Sequence, residues 1–203
     1  MKNYLLLLIS VVFFSCNTSK PDTAPERFDA SSGKGLIIGT LTFDGDKPQN
    51  DIYRFFYEAT SGDKKFKKRN EGKIMIKARE NNVRAFTGDF NDKRTYLFVI
   101  EREPGTYAFT SYNYLNHIGN NGMVNYSTRY AIPFEVKKGQ IQYIGEMEFM
   151  SNAIKGTPRI IVSDNSARDL AEFRKKFPQI NWDNTINNTV KSGDTGDGLV
   201  EFR

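Results

Sequence analysis

The sequence predicts an all-β fold, an antiparallel sandwich of about seven or eight strands with one C-terminal helix docked on it. Three observations carry that expectation. Between residues 36 and 163 eight short runs recur at intervals of about 10–20 residues, most of them alternating apolar and polar side chains. Turn chemistry separates them: Asp44-Gly45-Asp46, Ser61-Gly62-Asp63, Pro104-Gly105 and Lys138-Gly139. One segment, 166–177, departs from period two and places Leu170, Phe173 and Phe177 on a single helical face.

Each run has its own signature. Residues 36–43 form the first. In 52–58, Tyr53, Phe55 and Tyr57 share a face, and in 73–78, Ile74, Ile76 and Ala78 oppose Lys73, Met75 and Lys77. Residues 95–101 are apolar on both faces, which predicts a central strand. Residues 106–115 follow Pro104-Gly105. In 130–136, Tyr130, Ile132, Phe134 and Val136 alternate with Ala131, Pro133 and Glu135, and Pro133 assigns the run to an edge or a bulge. In 140–149, Ile141, Tyr143, Met147 and Phe149 are expected on one face. Residues 158–163 are the last strand. The helix is read as capped by Ser166 with Asp169 three residues on, with Arg174, Lys175 and Lys176 at its C-terminal dipole and Pro178 ending it. Three turns are too few to stand alone, so it must pack on the sandwich.

The composition bounds the function. The chain has 203 residues, a net charge of +5, one cysteine and one histidine. No intramolecular disulfide is possible, and a zinc site or a histidine-based catalytic centre is disfavoured. Residues 4–14 form an apolar run behind Met1-Lys2-Asn3. As a helix the run reaches about 16 Å, short of a bilayer core of roughly 30 Å, and it has the proportions of a secretory signal. It ends in Phe13-Phe14-Ser15-Cys16, which resembles the lipobox of bacterial lipoproteins, with Phe13 and Phe14 departing from the usual residues. The resemblance implies cleavage after residue 15 and acylation, including palmitate, of Cys16. Several acyl chains anchor a protein stably where one is marginal. The domains expected are a signal peptide (1–15), a flexible tether (16–34), the sandwich with its helix (35–182) and a loosely ordered polar tail (183–203). The location implied is the cell envelope, on the outer membrane of a Gram-negative bacterium.

Phe98-Val-Ile-Glu-Arg-Glu-Pro104-Gly105-Thr-Tyr107 resembles the strand–Pro-Gly–Tyr–strand hairpin of transthyretin-like, carboxypeptidase-regulatory-like sandwiches. Phe134-Glu-Val-Lys-Lys-Gly139-Gln-Ile-Gln-Tyr143 resembles the following strand–Lys-Gly–strand hairpin in Bacteroidetes lipoproteins. These motifs cover about residues 36–150 and carry turn chemistry, so the resemblance implies a β-sandwich of the transthyretin or immunoglobulin kind in the cell envelope, while the fold alone carries no function.

The function expected is therefore a non-catalytic, membrane-anchored module that binds an envelope protein or glycan through an exposed aromatic face. Tyr112, Tyr114, His117, Tyr126 and Tyr130 are the binding candidates: 112–130 is a long Asn- and Gly-rich stretch read as a loop, and Tyr112 and Tyr114 alternate with core-facing Tyr107 and Phe109. Lys64, Lys65, Lys67, Lys68 and Arg69 surround Phe66 in what reads as a solvated hairpin loop, with contact to an anionic surface as its functional reading. The enzymatic alternative is a hydrolase acting on envelope glycans. Glu146 and Glu148 lie two apart on a strand, at roughly 7 Å, within the range a glycosidase pair uses; the solvent face of an amphipathic strand explains them more simply, as it does Glu101 and Glu103. The third reading is a purely structural envelope component. Asp89, Asn91 and Asp92, and Asp194 with Asp197, lack the register of a calcium loop. No metal, no cofactor and no nucleic acid is expected.

Overall fold

A computed structural model describes residues 21–79, 84–118 and 121–203, without the side chains of 117, 118 and 121. The signal segment, Cys16 and residues 17–20 lie outside the described residues. In chain order the elements are β1 (Gly35–Phe43), β2 (Ile52–Ala59), α1 (Lys64–Asn70), β3 (Gly72–Lys77), β4 (Thr95–Arg102), β5 (Gly105–Ile118), β6 (Asn121–Tyr126), β7 (Ile132–Val136), β8 (Ile141–Phe149), β9 (Ile160–Ser163), α2 (Ser166–Lys176), β10 (Ile186–Asn187) and β11 (Val200–Phe202).

Two sheets face each other. The first runs β11-β9-β8-β1-β4, with β10 beside β8; the second runs β3-β2-β5-β6, with β7 beside β5. Ile37, Leu41, Phe43, Met147 and Phe149 of the first sheet pack on Tyr53, Phe55, Tyr57, Phe109 and Phe134 of the second. The interface is largely aromatic: Phe149 lies 5.1 Å from Tyr112 edge-on and 5.2 Å from Tyr53. Such pairs contribute about 0.5–1.5 kcal/mol each beyond their burial.

The pairing is mixed, which corrects the antiparallel expectation. β1 runs antiparallel to β4 and parallel to β8, and β10 and β11 also pair in parallel. β4 is an edge strand and not a central one. Both its faces are nonetheless covered, Phe98 and Ile100 by the sandwich core and Val99 by the cluster under α2. The Pro104-Gly105 and Lys138-Gly139 turns do not close hairpins: β4 and β5, like β7 and β8, lie in different sheets. Each turn carries the chain across the end of the sandwich. β7 is an edge strand, as Pro133 requires.

Two bulges change which side chains meet the core. On β5, Phe56 pairs with Ser111 and Tyr57 with Phe109, so Thr110 is an extra residue. Because the side-chain period is two, one extra residue reverses the faces beyond it. Tyr107 and Phe109 before it, and Tyr112 and Tyr114 after it, all turn inward. On β8 the register slips between Ile38 and Thr40 of its partner, at Gly145 with φ +116. Ile141 and Tyr143 therefore point to the outer face under α2, whereas Met147 and Phe149 point to the sandwich core.

The outer face of the first sheet carries a second apolar cluster. Phe173 of α2, Ile180 and Trp182 pack on Leu36, Ile38, Val99, Ile141 and Tyr143. Ser166 is the first residue of the helix and not its cap; Asn165 holds that position, and the Asp169 carboxylate turns inward. The stretch 183–203 is not a loose tail. Asn188 N–H and Val190 N–H donate to the Tyr143 and Ile144 carbonyls, and Val200 is buried. Its β10 and β11 complete the edge that β8 and β9 leave open. Nor is the segment before β1 wholly a free tether. Ala24 and Phe28 pack against the outer cluster, and Asp22 N–H donates to the Lys73 carbonyl at 3.2 Å.

Candidate functional site

At the end of the sandwich where β1 and β8 finish, three connections surround a cleft of about 310 Å³ floored by Tyr112. The β8–β9 loop is folded around Arg159, whose guanidinium donates to the carbonyls of Met150 (2.8 Å), Ser151 (2.6 Å) and Ala153 (2.9 Å). The turn before β11 takes three successive left-handed residues, Gly196, Asp197 and Gly198. A side chain at Gly196 would press on the Arg129 carbonyl and on Tyr130 Cβ, at 2.7 and 3.0 Å, so glycine is needed there on two counts. The strip after β6 is stitched to β5: Tyr112 N–H donates to Ser127 Oγ at 2.9 Å, and Tyr130 N–H to the Thr110 carbonyl at 3.2 Å.

The cleft offers Tyr112 and Ile154 as apolar surface, and Thr128, Lys155, Thr157 and Asp197 as polar groups. Ile154 is 73% exposed, on a rim where solvent does not favour it. Tyr112 is wedged against Phe149 and Phe55; burial pushes its phenol up to about 12, opposed by the nearby Arg159 charge. It stays neutral and able to donate. Asp197 is the one carboxylate among the lining residues. Hydroxyls, one ammonium and one carboxylate around an aromatic floor suit a polyhydroxylated or peptide-like ligand.

The tyrosine candidates divide. Tyr112 and Tyr130 are buried, which corrects the expectation of an exposed aromatic face: the Thr110 bulge turns Tyr112 inward, and Tyr130 lies in the core with Ile132, Phe134 and Val136. Tyr114 is half-buried and stacks toward Tyr53 and Tyr112. Tyr126 is exposed, on β6 with Met123 and Val124. The His117 side chain lies outside the described residues. The stretch 112–130 is largely strand and not loop, because β5 and β6 pair from Asn113 opposite Tyr126 outward. Sequence reasoning misses the cleft: 153–157 fall between the expected strands, Arg159 inside the last of them and 196–199 in the supposed tail, although Gly156, Gly196 and Gly198 mark tight turns.

The basic run is a helix and not a hairpin loop. Asp63 caps α1 by accepting from Phe66 N–H at 2.7 Å, and Phe66 folds inward over Gly105 and Tyr107. Arg69 pairs with Glu103 at 3.1 Å, while Lys64, Lys65, Lys67 and Lys68 have no ion pair among the described residues.

Glu146 and Glu148 do not form an open pair. Glu146 is buried at the N-terminus of α2, where it accepts from Arg168 (2.6 Å), Thr42 and Asn165. Asp169, fully buried beside it, accepts from Thr40 and Tyr143 at 2.7 Å each and from Arg168 at 2.8 Å. Desolvation still holds the Asp169 carboxyl above the usual range. Glu148 is half-exposed, raised by its own burial and then by Glu146 and Asp44. Glu103 is engaged by Arg69 and Glu101 by Lys34. Asp89 accepts from Leu97 N–H and Lys176, and Asp194 from Gly196 N–H. Among the described residues no cluster of three or more His, Cys, Asp or Glu is placed to hold a metal ion.

No family model and no curated protein matches this chain. A leucine-rich repeat protein from Bacteroides thetaiotaomicron is similar in structure over 58% of this chain and 14% of its own, with 12% identity and a TM-score of 0.33. The matched region is a small part of that protein.

Proposed function

We propose that this chain is a lipid-anchored module of the bacterial cell envelope, most simply of the outer membrane, with a transthyretin-like sandwich that binds a glycan or peptide ligand in the Tyr112 cleft. The observation that carries the reading is the cleft itself: loops from three connections converge on a rigid aromatic floor, with Thr128, Lys155 and Asp197 around the rim. Loops held by a stiff scaffold are where recognition concentrates. The anchor rests on Cys16, the chain's one cysteine, directly behind the apolar run and a small residue. Acylation there disposes of an exported free thiol. The Glu146 carboxylate, already engaged by three donors, serves in this reading to hold α2.

The test uses saturation-transfer NMR with a panel of peptidoglycan and lipopolysaccharide fragments and short envelope peptides. Tyr112 supports the core, so the variants are placed on the rim, at Ile154→Asp and Lys155→Glu. A fragment whose signal disappears in both variants, at unchanged thermal unfolding, supports the site. Ligands that bind both variants as they bind the wild type place recognition elsewhere.

A further inference from the structure

We propose that α1 is a membrane-docking surface, pressed onto the anionic headgroups of the bilayer that holds the Cys16 acyl chains, so that the Tyr112 cleft faces away from the membrane. This rests on the acylation of Cys16 proposed above. Two independent features carry it.

The first is the reach of the chain. Asp22 is clamped to the sandwich: its carboxylate lies 2.7 Å from Arg102 Nη2, accepts from the Tyr57 hydroxyl, and is one-tenth exposed. From Cys16 to Asp22 the chain spans about 21 Å even when fully extended. The domain is thus held within a few residues' length of the headgroups, by the surface around Asp22. That surface adjoins α1. Gly72, two residues after the helix, sits against both the Tyr57 hydroxyl and Arg102, where a side chain would collide. Arg69 and Asn70 both bond to Glu103, beside Arg102.

The second is charge. With Phe66 turned inward, helical geometry puts Lys64 and Lys68, four apart, on the opposite, outward face, flanked by Lys65 and Lys67. All four are exposed and without ion pairs among the described residues. Lys138, in the turn after β7, adds a further exposed cation at the same end, since Val136 pairs with Gly105 under Phe66. Such lysines are drawn to an anionic leaflet and not to a neutral one. The cleft lies at the other end of β8, about 26 Å from Ile141 to Phe149 at 3.3 Å per residue.

The test reads lysine acetylation by peptide mass spectrometry on the full-length protein, purified from membranes with its own N-terminal modification. The protein is reconstituted into vesicles of phosphatidylcholine alone or with about one-third phosphatidylglycerol. In the anionic vesicles at about 50 mM salt, labelling of Lys64 and Lys68 should fall at least fivefold. It should recover at about 0.5 M salt, where the screening length is roughly 4 Å. Lys155, at the cleft end, should label equally throughout. In Lys64→Gln, Lys68→Gln the protection of Lys65 and Lys67 should also be lost. An acylated Cys16 peptide with equal labelling of Lys64 and Lys68 in both vesicles overturns the docking and leaves the anchor standing. Protection that survives high salt overturns it as well. A Cys16 peptide without lipid removes the anchor, and the docking with it.

Discussion

Arg168 Nη2 lies 2.6 Å from Glu146 Oε1, an ion pair that joins the first turn of α2 to the outer face of β8. The same nitrogen lies 2.7 Å from the fully buried Asp169 carboxylate. One guanidinium thus balances two carboxylates that have little or no access to water, and Thr40, Thr42, Tyr143 and Asn165 satisfy the remaining lone pairs. The cluster stabilises an arrangement that would be costly with any member missing.

Removing that cation should therefore hurt. Arg168→Ala leaves Glu146 and Asp169 without their counter-charge, and destabilisation of about 2–4 kcal/mol is expected, below a fully buried pair because the arginine is 40% exposed. Urea unfolding should show a lower midpoint at unchanged slope. A midpoint within error of the wild type would mean that Arg168 does not clamp α2 to β8.

Glu148 makes the stability of the fold depend on pH. Glu148 has a folded value raised above 4.5, first by burial and then by Glu146 and Asp44. Between the unfolded and folded values the native state binds more protons, so stability falls as pH rises through that window. Glu148→Gln removes the charge that is disfavoured at neutral pH. The variant should gain stability relative to wild type at pH 7 and show no gain near pH 3.5; a gain that is the same at both would refute the assignment.

The β8 bulge requires glycine. Gly145 has φ +116 and a Cβ there would meet the Ser163 carbonyl at 3.1 Å. Gly145→Ala should cost about 1–3 kcal/mol. Gly156→Ala, also left-handed but in open space, should cost less, and thermal melts of the two variants side by side make the comparison.

Much of the sandwich was legible because its strands obey period two between turn residues: all eight predicted runs overlap strands. What was not legible follows from single residues. Nothing marks Thr110 as an extra residue until its neighbours pair, so Tyr112 read as exposed. Gly145 could have been suspected, since glycine inside an apolar run signals a bulge. Helix α1 hides because Phe66 alone gives it an apolar face, although Asp63 is a ready cap. β10 and β11 are too short for any pattern; their order comes from main-chain bonds to β8 and β9. The cleft depends on loops from distant stretches meeting at Tyr112, a relation that no local pattern encodes.

The Asp22 clamp predicts how the N-terminal segment behaves. Asp22→Ala deprives Arg102, 18% exposed, of its carboxylate and the Tyr57 hydroxyl of its acceptor. A loss of about 1–3 kcal/mol is expected, with faster tryptic cleavage after Arg27. Unchanged cleavage would mean that Ala24 and Phe28 hold the segment without the clamp.

If the Tyr112 cleft is the working site of the module, hydrogen exchange of the full chain shows it whatever the ligand is. The comparison is between native envelope vesicles and the purified protein in synthetic vesicles of matched lipid. Peptides covering 127–130, 153–159 and 193–199 should exchange more slowly in the native envelope than in the synthetic vesicles. The same peptides in the Lys155→Glu variant should exchange alike in both. If exchange in these three segments is the same in both settings, while β5–β6 or another surface gains protection, the cleft is not where this protein works.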